Sequence, residues 1–172
     1  MPDAPLPNGG APATTSLSSA PTPRSSTPWT GPASNADQDL PSDVAKVATA
    51  FTLAFVQHDA RAGGDRSFAT AGVRAAKFAS GELAKALPQE RPGQAAPWAA
   101  LRAEQAVTTA EITSVVVPDG APPPTATSAL VRVAYTLTTT PVAGAPRKER
   151  DHLALRLEPT PDGWRVTALP WS

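Results

Sequence analysis

From Ser42 onward, Val44, Val47, Ala48, Phe51, Phe55 and His58 recur at the spacing of one helical face, which predicts an amphipathic helix. Ser42 stands where a cap would accept a backbone N–H, and Asp43 adds negative charge to the first turn. The helix is expected to run to about Ala62, where Gly63-Gly64 stops it. Leu53 and Val56 fall off the stripe, so the helix is expected to be covered on more than one side or packed at an interface. A second helical run, DRSFATAGVRAAKFA, begins near Asp65 or Ser67 and turns Phe68, Ala71, Ala75 and Phe78 or Ala79 inward. Gly72, in its middle, works against it. In SGELAKAL a third, short helix has Ser80 as cap, Leu83 and Leu87 one turn apart, and Pro88 as stop. QERPGQAAPWAAL, residues 89–101, reads as a Pro/Gly loop whose Trp98 folds back over the helices as a lid, because an exposed indole is costly.

After residue 105 the pattern changes to β-branched runs. AVTTAEITSVVV predicts a first long strand whose imperfect alternation implies a bulge or burial on both faces. In ALVRVAYTLTTT, Val131, Val133, Tyr135 and Leu137 share one face and Arg132, Ala134, Thr136 and Thr138 the other. PVAGAPRK reads as a loop. DHLALRLEP sends Leu153, Leu155 and Leu157 inward, with His152, Arg156 and Glu158 outward. Asp162-Gly163 supplies a tight turn into a last strand with Trp164, Val166 and Ala168 on one face. Trp164 is expected to fill the gap between sheet and helices, and Trp171 to clamp the chain end. The order is α+β: three N-terminal helices packed on a curved, mainly four-stranded antiparallel sheet, since the apolar sheet face has only helices to cover it.

Residues 1–40 break with this patterning. They hold eight prolines, three glycines, eleven Ser or Thr and a single aromatic residue, Trp29. Such a stretch buries too little apolar surface to offset the entropy of ordering it, so it is expected to be a disordered Pro/Ser/Thr-rich linker or tail. Residues 41–172 are then the domain, long enough for a core without metal or disulfide staples. Fifteen acidic and fifteen basic residues cancel along the chain. This supplies no cationic footprint for phosphate backbones, which argues against nucleic acid as a partner. Cysteine is absent, removing thiolate catalysis and thiolate metal sites while leaving the redox compartment open. The sequence has no apolar run of about 18 residues and no signal-peptide pattern at its start.

Three segments carry a family resemblance: KVATAFTLAFVQHDARAGGDRSFATAG, FASGELAKAL and LALRLEPTPDGWRVTALPW. They resemble the cone-shaped (cystatin-like) domains of the nuclear transport factor 2-like superfamily. More narrowly, they are similar to actinobacterial members of the Gram-positive conjugation proteins related to a type IV secretion component with a periplasmic cone domain. The matching positions are Val47 to Ala60, Phe78 to Leu87 and Asp162 to Val166. The resemblance implies an N-terminal membrane helix, a linker and a domain outside the membrane. This sequence shows linker and domain without the helix. The expectation is therefore an extracytoplasmic, membrane-associated protein if its N-terminus is truncated, and a cytoplasmic one otherwise.

The superfamily also includes cyclases, isomerases and dehydratases that use an Asp or a His-Asp pair inside the cone. His58 lies on the apolar stripe and could project inward, but Asp59 turns about 100° away on a helix, so the pattern favours a core or rim histidine. Asp151 and His152 are strand neighbours and point to opposite faces. Tyr135 sits among apolar residues and needs a partner for its hydroxyl at one end of the core or in a pocket. His58 and Tyr135 are thus the weak pocket candidates, and Phe51, Phe55, Phe68, Phe78, Trp98, Trp164 and Trp171 are the structural aromatic anchors. The inward strand positions are aliphatic, two histidines form no metal-ligand cluster, and no phosphate loop is present. No catalytic residue, cofactor or metal is expected. The sequence reads as a noncatalytic scaffold domain of a conjugative transfer or secretion apparatus, binding protein partners or itself and reaching a membrane only through an anchor absent from this sequence. The alternative is a stand-alone ligand-binding or enzymatic member of the superfamily, which a cavity of about 300 Å³ or more joining His58 and Tyr135 would favour.

Overall fold

The computed structural model describes residues 40–170 of the chain; Trp29 and Trp171 lie outside them. The first helix, α1, spans Ser42–Val56. It places Val44, Ala48 and Phe51 wholly out of solvent and stacks Phe51 on Phe55 with ring centroids 5.7 Å apart. Thr52 is also buried, its hydroxyl donating to the Ala48 carbonyl at 2.8 Å, which satisfies the polar atom inside the helix. Two expectations for this helix need correction. Pro41 occupies the N-cap position and Ser42 is the first helical residue, with no side-chain cap bond. The helix also ends at Val56 rather than near Ala62: Gln57 is extended, and His58–Asp59 form a short strand, β1, paired with Thr108 and Val107.

Helix α2 spans Phe68–Ala76 and α3 spans Gly81–Ala86. Ala71 and Ala75 are fully buried, as the pattern predicts. Gly72 has a packing reason: a Cβ built there would fall inside the Leu87 carbonyl group, with the Leu87 carbonyl carbon 2.6 Å away. The end of α3 therefore lies directly against the backbone of α2, and only glycine admits it. Gly72→Ala is expected to cost about 1–3 kcal/mol, read as a lower urea midpoint with an unchanged slope.

A fourth helix, α4, spans Ala95–Ala103 where a loop was expected. Pro97 is its third residue, a first-turn position whose N–H would have no helical acceptor, so proline does not break it. Trp98 is therefore a helical residue, 8% exposed, and not a loop-borne lid.

The remaining strands are β2 (Val107–Val116), β3 (Ala129–Thr140), β4 (Arg147–Thr160) and β5 (Gly163–Ala168). They form with β1 one antiparallel sheet in the order β1-β2-β3-β4-β5, curled into a half-barrel with the helices in its hollow. The short β1 is added to the four strands expected. The uneven alternation of β2 takes the form of a bulge between Ile112 and Ser114. Strand β4 begins at Arg147, in a stretch expected to be loop; residues 147–151 pair with 135–139 of β3. The turn before β5 is centred on Pro161 and Asp162, with Gly163 opening the strand at φ 102°, a backbone setting that favours glycine.

Val131, Val133, Leu155, Leu157 and Val166 from the sheet meet Val44, Ala48 and Phe51 in one core, with Phe78, Leu83 and Trp164 packed partly buried around it. Residues 78–80 cover the outer edge of β5: the Val166 N–H donates to the Phe78 carbonyl at 2.9 Å, and the Ser80 N–H donates to the Val166 carbonyl at 3.0 Å. Satisfying these backbone groups removes a free sheet edge.

Candidate functional site

A turn links β1 to α2 and is fastened from both sides. The Asp59 N–H donates to Asp65 Oδ2 at 3.0 Å, and the Asp65 N–H donates back to the Asp59 carbonyl at 2.6 Å. Arg74 of α2 pairs with the Asp65 carboxylate and donates from Nη2 to the Gln57 carbonyl at 2.7 Å. Asp65 is only 7% exposed. Its burial opposes ionisation, but bonds from Arg74 and the Asp59 N–H outweigh that and hold its pKa below the ordinary value. The staple fixes the backbone on both sides of His58.

The His58 ring packs edge-on to Phe68 at 4.8 Å and to Trp98 at 6.1 Å between centroids, and Phe68 meets Trp98 at 5.0 Å. Its Nδ1 is buried without a hydrogen-bond partner. Burial, with a smaller push from Arg74 against a pull from Asp65, lowers its pKa to about 4. At neutral pH the ring is uncharged and a weak base. Asp59 is held to a pKa of about 2, chiefly by hydrogen bonds from Arg61, whose Nη2 donates to Asp59 Oδ2 at 2.7 Å. Thus His58 and Asp59 are neighbours without being a dyad.

The depressed histidine has a measurable consequence. An unfolded chain takes up a proton at this residue near pH 6.5, whereas the folded chain does so only near pH 4. The contribution of neutral, buried His58 is present above pH 6.5 and is lost as pH falls toward 4, by on the order of 3 kcal/mol. His58→Leu is expected to flatten stability across that window, and to leave it equal or slightly higher at pH 7 because the unpartnered Nδ1 is gone. Urea titrations of both proteins between pH 7 and 4 check this.

His58 lines a cavity of about 320 Å³ bounded by Phe55, Phe68, Leu87, Leu101 and Leu137, with Arg91 and Gln94 among the polar residues of its wall. Tyr135 is not among the lining residues. Its hydroxyl donates to Asp151 Oδ2 at 3.3 Å, and burial first, then the Asp151 charge, raises its pKa. His152 adds only its backbone N–H, donating to Asp151 Oδ1 at 2.7 Å. The volume set for a ligand site is therefore reached, but the two pocket candidates do not converge. Among the described residues, no three His, Asp or Glu side chains form a group that could hold a metal.

Of the aromatic anchors, Phe51 is in the centre of the core, Phe55, Phe78 and Trp164 pack on it, and Phe68 and Trp98 form the cavity cluster with His58. The residues that sequence reasoning missed are Leu101 and Arg91, which belonged to an assumed loop, and Leu137, whose alternation gave its face but not the hollow beside it.

No protein-family model matches the chain, and no curated protein matches it in sequence. Among solved structures, the VirB8 protein of Agrobacterium tumefaciens superposes with a TM-score of 0.53 at 15% identity, covering 74% of this chain and 88% of that one. The intermembrane space region of the chloroplast protein ARC6 gives a TM-score of 0.38 at 14% identity, with the same coverage. At this identity the VirB8 likeness concerns the fold alone: helices packed against a strongly curled antiparallel sheet.

Proposed function

We propose that this domain is a noncatalytic protein-interaction module, a scaffold element of a conjugative transfer or secretion apparatus. The observation that carries the reading is the aliphatic packing at the centre of the sheet's inner face. Val131, Val133, Leu155, Leu157 and Val166 are fully buried against Phe51, and the two inward titratable side chains nearest a hollow, His58 and Tyr135, do not converge on one cavity. The shared fold with VirB8 supports the same reading. In this reading the domain works outside the membrane. Among the described residues no helix is long and apolar enough to cross one.

The sequence has no cysteine, so single cysteines placed on exposed positions such as Val73 or Arg150 report contacts without background. In cells carrying out transfer, discrete crosslinks to apparatus components are expected, and His58→Leu is expected to complement a deletion fully. Loss of transfer by His58→Leu in a stably folded protein, or crosslinks that persist unchanged without the apparatus, overturns the scaffold reading.

A further inference from the structure

The 320 Å³ cavity does not stand alone. Phe68, Arg91 and Gln94 are shared with an adjoining groove of about 740 Å³ between the start of α2 and α4, lined also by Arg66, Trp98 and Arg102. The two ends differ in chemistry. The cavity end is walled by Phe55, Val56, Leu87, Leu101 and Leu137, and its histidine is uncharged at neutral pH. The groove end carries three arginines against one carboxylate, Glu90.

Among the described residues those arginines have no ionic partner. Arg61, Arg74, Arg132, Arg147 and Arg156 each pair with an acidic side chain. Among the described residues Arg66, Arg91 and Arg102 do not, nor do Arg150 and Arg165, which lie outside the groove; the Arg102 guanidinium donates only to the Arg61 carbonyl at 3.5 Å. In a chain of zero net charge, unpaired cations gathered beside one apolar hollow make a site with a cationic, anion-binding end and a greasy end.

We propose that cavity and groove form one binding site for a single-chain amphipathic carboxylate, its apolar tail among Phe55, Leu87 and Leu137 and its carboxylate on Arg91, with Arg66 and Arg102 adding attraction along the groove. The cavity takes one short chain; it has no room for the paired chains of a membrane phospholipid. The neutral His58 edge and the Thr108 and Thr139 side chains that share the wall place no competing charge beside the tail. The site stands beside the scaffold reading and does not depend on it.

The test is calorimetric titration of the full chain with decanoate, decanol and decyltrimethylammonium. Decanoate is expected to bind about tenfold or more tightly than decanol, and the cationic analogue not measurably. Arg91→Ala is expected to bring decanoate down to the decanol level without changing decanol binding. Leu137→Trp is expected to abolish both, and if that variant does not fold, Ala69→Leu at the same wall serves in its place. Equal binding of anion and cation, no heat with decanoate up to millimolar concentration, or an Arg66→Ala, Arg91→Ala, Arg102→Ala triple variant that still binds decanoate like the parent overturns the proposal. Sedimentation with phosphatidylglycerol vesicles in the absence of any decanoate response overturns it as well, in favour of a lipid surface.

Discussion

Phe51→Ala is expected to remove about 3–5 kcal/mol of folding free energy, much of what a domain of this size has. The ring is 0% exposed, between α1 and the inner face of the sheet, and stacks on Phe55. The core it belongs to draws side chains from α1, α2, β3, β4 and β5, and the backbone pairing of the strands limits their collapse into the void. Chemical unfolding should show a lower midpoint with an unchanged slope. Trp164→Ala should cost less, because Trp164 packs at the rim and remains partly exposed. A larger loss at Trp164 than at Phe51 would mean that the seal along β5, and not the centre, holds the domain together.

Arg74→Met is expected to cost about 3 kcal/mol at pH 7. Removing one partner of a buried pair strands the other charge, typically for about 3–5 kcal/mol, and the lower end applies because the Arg74 side chain is itself 39% exposed. The pH dependence identifies the mechanism. In the parent, the depressed Asp65 pKa contributes stability that is present above the ordinary carboxyl range and is lost as pH falls through the folded value. Without Arg74, burial becomes the dominant influence and raises that pKa, so the variant regains ground as Asp65 takes a proton. The gap between parent and variant should narrow from pH 7 toward pH 4. Adding Asp65→Asn should recover part of the loss at neutral pH; no recovery would place the role of Arg74 in its bond to the Gln57 carbonyl instead.

The order of elements and the aliphatic core were legible because periodicity reports burial on one face. Val131, Val133, Leu155 and Leu157 alternate cleanly and lie in the core. The errors occurred where another force decides. His58 continues the stripe of α1, yet pairing with Thr108 draws it into β1, a long-range bond that no local period reveals. Arg147 to Asp151 show no alternation because those positions are exposed to solvent, while backbone pairing to β3 keeps them extended. Pro97 suggested a loop because proline ends helices from within, but it sits in the first turn of α4. The cavity was the least legible feature: its walls come from α1, α2, α4 and three strands, and a hollow is a property of how they meet. The Asp65–Arg74 staple joins residues nine apart, and only the fold shows that it encloses the turn around Asp59.

In this sheet every strand lies beside its chain neighbour, so most pairing can zip outward from hairpins at small loop-closure cost. The contact between Ala79 and Val166 is different, because it joins segments from opposite halves of the domain. That seam should close late, and until it does the unpaired backbone groups along β5 stay open to chaperones or to misassembly with other nascent chains.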